Sequence, residues 1–155
     1  MNQTDLTQVG LGAVSDQACI NVYIANRPPL DEYQQLCWLK ALNKGDVYSI
    51  AQLTGNHWRK VFNVYAKFLY GFYESGQSLL PAIDLEKIRT WQNYRDEILL
   101  QSSCETTLLF SKPLISQGTN KKNQVHIIMG KQYAAQLGFD RDNNKGSNNE
   151  LLVVD

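Results

Sequence analysis

The chain lacks any excess of charge. Fifteen Lys and Arg balance fifteen Asp and Glu, so bulk attraction to duplex DNA is disfavoured, and binding of a short single strand of nucleic acid would need a local basic patch. Cysteine is scarce. Cys19, Cys37 and Cys104 are odd in number, far apart and never in C-x-x-C spacing, which speaks against a disulfide framework and a cysteine-built metal site. Reduced, buried thiols in a cytoplasm are the expectation. Histidine is scarcer still: His57 and His126 have no metal-spaced companion, so neither a metal nor a cofactor site is expected. No apolar run approaches the roughly 20 residues that span a bilayer. The opening MNQTDLTQVGLGAVS has no basic segment followed by an apolar core, so no secretory signal is read there. These absences describe a soluble, cytoplasmic protein without a membrane partner.

The 155 residues suit a single globular α/β domain, able to bury about two-thirds of its unfolded surface. Hydrophobic residues make up 43% and charged ones 19%, far from the composition of disorder. The clearest stretch is Gln124 to Phe139, QVHIIMGKQYAAQLGF. Val125 to Met129 is apolar and β-branched, Gly130 stops it, and helix-forming residues follow from Lys131, which reads as strand, turn, helix. Ala18 to Ala25 and Thr106 to Phe110 have the same uniformly apolar character, and Leu151 to Val154 adds a fourth strand.

Between the first two strands the periodicity is helical. Leu36, Leu39 and Leu42 fall on one face of a helix expected from Asp31 to Asn43, with Gly45 as its stop. Asp46 reads as the N-cap of a short helix, and Asn56 as the cap of the longest, whose stripe runs through Trp58, Val61, Phe62, Tyr65, Phe68, Leu69 and Phe72. Another helix is expected from Asp84 to about Leu100. Residues 1–17 are read as loosely ordered. Uniformly apolar strands belong to sheets covered on both faces, so the fold expected is a three-layer α/β/α arrangement around a small, mostly parallel sheet of about four strands.

In open α/β sheets ligands lie outside the carboxyl ends of the strands. That rule selects Asn26 and Arg27 after the first strand, Ser111 and Lys112 after the second, Gly130 and Lys131 after the third, and Asp155 after the last. Arg27, Lys112 and Lys131, with Gly130 at the turn, would bind a small anionic or nucleotide-like ligand, helped by the amides that open the Lys131 helix. Were the protein an enzyme, Asn26, Ser111 and Asp155 would be the polar candidates. The rest of this rim follows no known phosphate loop. Val125 occupies the place of the first glycine of G-x-x-x-x-G-K-[ST], and Gln132 that of the second glycine of G-x-G-x-x-G. Asp140, Asp142 and Asn144 begin like a calcium loop, but Lys145 and Leu151 stand where glycine and glutamate are required. Trp38, Trp58 and Trp91 are read as core rather than as stacking platforms. Asp31 and Glu32 are read as helix-opening carboxylates rather than a general base.

Ile127-Ile128-Met129-Gly130-Lys131-Gln132-Tyr133-Ala134-Ala135 resembles the strand-glycine-helix segment of the uracil-DNA glycosylase superfamily. With the following loop and strand the resemblance covers roughly thirty residues, and it implies a small α/β fold with a nucleobase or phosphate ligand. The loop Asn26-Arg27-Pro28-Pro29 has that family's proline but lacks its acidic residue, and Asp155 stands where a His-Pro-Ser loop would begin, which implies a truncated or absent DNA-contacting element. A non-catalytic interaction domain that keeps the fold and has lost the site is the competing expectation. The sequence sets no oligomeric state.

Overall fold

The structure, a computed structural model, describes residues 8–13, 18–76, 80, 83–102, 104–113 and 124–139, with the backbone of Glu150–Val154. The elements in chain order are β1 (Gly10–Gly12), β2 (Ile20–Ile24), α1 (Asp31–Gln34), β3 (Leu39–Lys40), α2 (Asp46–Thr54), α3 (Asn56–Glu74), α4 (Trp91–Glu97), β4 (Thr106–Leu109), β5 (Val125–Met129), α5 (Lys131–Gln136) and β6 (Glu150–Val154). They form one sheet of order β3-β1-β4-β2-β5-β6. β4, β2, β5 and β6 run parallel to one another, whereas β1 is antiparallel to β4, and β3 runs with β1.

The α/β class and the mostly parallel sheet are as the sequence implies. Alternation sorts the strand residues into two layers. Ile20, Val22 and Ile24 of β2, Leu108 of β4 and Ile127 of β5 face a core filled by α3 through Trp58, Phe62, Tyr65, Ala66 and Leu69. Tyr23, Leu109 and Ile128 point to the other face, where Ala134 of α5 covers them. The helices between the first two long strands therefore pack on one side of the sheet, and the helix after β5 on the other.

Several expectations change. Among the described residues the sheet has six strands rather than about four, because two short ones border the parallel set. Gly10–Gly12, inside a segment read as loosely ordered, is a buried strand between β3 and β4. It lacks alternation because a Cβ on Gly10 or Gly12 would collide with the backbone of Leu108 or Thr106, so close approach of strands selects glycine over an apolar side chain. The helix expected from Asp31 to Asn43 stops at Gln34. Its leucine stripe is split: Leu36 and Leu42 enter the helix-side core, while Leu39, in β3, packs against the opposite layer.

The helix expected from Asp84 is also shorter. Asp84 Oδ1 accepts the Glu86 amide at 3.1 Å, making a local turn, and helix begins only at Trp91, capped by Thr90 Oγ1 accepting from the Asn93 amide at 3.1 Å. Asp46 and Asn56 are first helical residues rather than caps, each following a glycine of positive φ, Gly45 or Gly55. The calcium-like residues Asp140 to Lys145 and the side chain of Leu151 lie outside the described set.

Candidate binding site at the strand ends

Four parallel strands bring their carboxyl ends to one edge. Register fixes who stands beside whom: Ile24 pairs with Met129 and Met129 with Val154, while Tyr23 pairs with Leu109. Asn26, Ser111, Gly130 and Lys131 therefore follow neighbouring strand ends. The first long strand, β2, lies between the second, β4, and the third, β5, so the chain leaves the ends of β2 and β5 in opposite directions. That is the topological switch point, where a crevice opens in doubly wound sheets.

Not every residue selected from the sequence is equally available there. The Arg27 guanidinium turns away from solvent: its Nη1 donates to the carbonyls of Tyr33 at 3.1 Å, Gln34 at 3.0 Å and Leu36 at 2.9 Å. It also lies 5.5 Å from the centroid of Phe110. These carbonyls lie at and just beyond the end of α1, so Arg27 serves as the clamp that closes that short helix. Ser111 is tied to β1, accepting from the Val9 amide at 3.0 Å and donating to the Val9 carbonyl at 3.4 Å.

Lys112, Lys131 and Asn26 are exposed. Gly130 has φ of 104°, a conformation that disfavours side chains, although its missing Cβ would meet nothing closer than the Tyr133 Cβ at 3.9 Å. Backbone geometry rather than space requires glycine here. α5 is only six residues long, so its dipole adds little and the lysines carry the positive potential. Asp155 lies outside the described residues. Of the nearby carboxylates, Glu32 is occupied by Lys40 at 3.1 Å.

Two residues at this edge carry no signal in the sequence. β1 runs against β4, so the residues leading into it reach the same edge, and Gln8 Oε1 is buried there without a hydrogen-bond partner among the described residues. An unmatched buried acceptor costs about 1–3 kcal/mol. Trp38 precedes β3, its carbonyl accepting from the Gly10 amide at 3.3 Å, and is 59% exposed. The other two tryptophans differ: Trp58 is buried, and Trp91 lies beneath Lys67 and Arg95. Trp38 thus departs from the core packing expected for most of the tryptophans and tyrosines. An exposed tryptophan in a loop and a lone glutamine become legible only once strand direction is known.

On the face covered by α5, the Tyr23 hydroxyl and His126 Nδ1 are 2.8 Å apart, and Thr107 Oγ1 donates to Asn21 Oδ1 at 2.8 Å. Burial lowers the His126 pKa and raises that of Tyr23. Burial favours the neutral imidazole, and hydroxyl and ring nitrogen satisfy one another as a structural pair, in line with the reading of His126 as a satisfied strand residue. His57 is exposed in the first turn of α3, edge-on to Trp58.

The fold and its edge define a mixed α/β protein with a doubly wound parallel core. The family described as "Family of unknown function (DUF6942)" matches residues 9–153, and the chain belongs to it. No curated protein and no solved structure matches the chain. Among the described residues, no helix is long and apolar enough to cross a membrane.

Proposed function

We propose that the protein binds a small anionic, nucleotide-like ligand in the crevice between the ends of β2 and β5, and that it does so in the cytoplasm. The observation that carries this reading is the strand order, which puts the switch point between Asn26 on one side and Gly130-Lys131 on the other. Lys131 and Lys112 supply charge, Gly130 lets the ligand approach the backbone, and Gln8 offers a buried acceptor to a ligand N–H. Arg27 keeps a positioning role, because its guanidinium is engaged with α1. The resemblance of residues 127–135 to the uracil-DNA glycosylase superfamily agrees with a nucleobase or phosphate as part of the ligand. Glycosylase chemistry is not part of the proposal, since the loop after β2 lacks the acidic residue.

The test is a thermal-shift and calorimetric panel of inorganic phosphate, nucleoside mono- and triphosphates and a short single-stranded oligonucleotide. Saturable binding of at least one mononucleotide, weakened about tenfold or more in Lys131→Ala/Lys112→Ala, supports the reading. No binding by any member, or binding indifferent to both lysines, overturns it. Tighter binding of the oligonucleotide, falling steeply with salt, would shift the assignment to single-stranded nucleic acid.

A second reading, a non-catalytic interaction domain, rests on a different observation. Val64 and Phe68, on one flank of α3, are 56% and 39% exposed, and Phe68 meets Phe72 edge-on at 5.0 Å. An apolar flank of this kind is a feature of contact surfaces.

A further inference from the structure

Away from the strand ends, α2, α3 and α4 line an open-mouthed cavity of about 140 Å³. Its floor is apolar: Val47, Ala51 and Phe62 line it and are all buried. Its mouth is polar, formed by the exposed Tyr48, Gln52 and Arg59 and the half-buried Asn63. No carboxylate is among the described lining residues.

The two arginines at this cavity are in different states. Arg95 is held rigid and largely neutralised: its Nε and Nη2 donate to Asp96 at 2.7 and 3.1 Å, and its Nη1 donates to Asn63 Oδ1 at 2.8 Å. It also stacks 5.5 Å from the centroid of Trp91. With Asn63 Oδ1 taken, the amide N–H groups of Asn63 are the part left to offer. Arg59 has no ion-pair or hydrogen-bond partner for its side chain among the described residues. It stands in the first turn of α3, beside His57 and Lys60, in a turn without a single acid. Cations there oppose the helix dipole and leave a positive potential at the cavity mouth unanswered.

The geometry points to this cavity as a second binding site, for a small organic carboxylate with a compact apolar body. The carboxylate pairs with Arg59 in the bidentate manner a guanidinium favours, Asn63 and Tyr48 add hydrogen-bond donors, and the hydrocarbon part sits on Val47, Ala51 and Phe62. The volume sets the size of the body. A dry cavity of about 150 Å³ takes one benzene-sized molecule, so the pocket seats a single ring. The site is separate from the strand-end crevice in place, since the described residues that line it all belong to α2, α3 and α4.

Backbone amide NMR of the full chain, titrated with benzoate, benzyl alcohol and inorganic phosphate, tests the inference. Saturable shifts confined to α2, α3 and α4 with benzoate, at least tenfold weaker in Arg59→Glu, support it. Ala51→Leu, which fills the floor and leaves the arginine in place, should also abolish them. Benzyl alcohol or phosphate binding as tightly as benzoate at those amides overturns it, since the site would then read only half of the ligand. Absence of saturable shifts in the wild-type protein overturns it without any variant having to fold. Shifts near Gly130 and Lys131 would instead report the strand-end crevice, so the two sites fail or succeed independently.

Discussion

Tyr23 and His126 lie on adjacent parallel strands with rings stacked at 5.8 Å and 25°, and the tyrosine hydroxyl closes on the imidazole Nδ1 at 2.8 Å. Where Nδ1 is the acceptor, it can accept that proton only while the ring is neutral. Burial holds the His126 pKa below its ordinary value of 6.5 in the folded protein, so below that pH the unfolded chain binds the proton first. Stability should therefore fall as pH drops from above about 6.5, by up to about 1.4 kcal/mol per pH unit, and level off below the folded pKa. Urea unfolding at a series of pH values checks the slope. His126→Gln should flatten it in this window, and an unchanged slope would show that another group is responsible.

Arg27 distinguishes a clamp from a ligand-binding cation. One nitrogen reaches the carbonyls of Tyr33, Gln34 and Leu36. Lysine retains the charge but not the planar fork. Arg27→Ala should destabilise the ligand-free protein by about 2–3 kcal/mol, and Arg27→Lys should recover less than half of that. Both values come from denaturant midpoints at constant m. A protein whose Arg27 serves only to bind an anion would lose no stability in ligand-free buffer.

β1 makes the steepest demand on side-chain size. A methyl group on Gly12 would strike the Thr106 carbonyl, and on Gly10 the Leu108 carbonyl, and Gly12 also has φ of 124°. The struck atoms are backbone in the sheet, so neither can swing aside. Gly12→Ala should cost more than about 3 kcal/mol, or abolish folded expression, and Gly10→Ala should cost nearly as much. Gly71→Ala is the control: it is exposed within α3 with open space around its missing Cβ, and should be neutral or stabilising by up to about 1 kcal/mol. Thermal melts of the three variants rank them.

Legibility followed periodicity. The strands Ile20–Ile24, Thr106–Leu109 and Val125–Met129 were readable because each is mostly apolar or β-branched and free of Asp, Glu, Lys and Arg, and α3 because Trp58, Phe62, Tyr65 and Leu69 recur at helical spacing. β3 was not, because Leu36, Leu39 and Leu42 recur every third residue whether they share one helix face or, as here, divide between two layers. β1 was not, because its glycines answer to the proximity of β4, a tertiary constraint with no local trace. For the site, strand ends followed from composition, so the position of Asn26, Gly130 and Lys131 just past the ends of β2 and β5 was legible. The engagement of Arg27 by α1 required knowing where that helix stops, and Gln8 required knowing that β1 runs against β4.

A chain of buried hydroxyls and a thiol crosses the core beneath β4. Tyr65 donates to the Thr107 carbonyl at 2.8 Å, and Cys104 Sγ stands 2.6 Å from Thr106 Oγ1 and 3.6 Å from the Tyr94 hydroxyl. Burial pushes both phenols well above their ordinary value of 10.0, and Tyr73, beside them, to about 12. In alkali the unfolded chain releases these protons first, so their contribution is complete below about pH 10 and is lost as pH rises beyond it. Tyr65→Phe makes two opposite changes. It removes a buried hydrogen bond, lowering stability near neutrality by about 1–3 kcal/mol, and it removes one proton from the alkaline linkage. The loss of stability per pH unit above 10 should then be shallower by up to about 1.4 kcal/mol. Guanidinium unfolding at neutral and alkaline pH separates the two effects. A variant equally destabilised at every pH would show that the Tyr65 phenol does not stay protonated in the folded core.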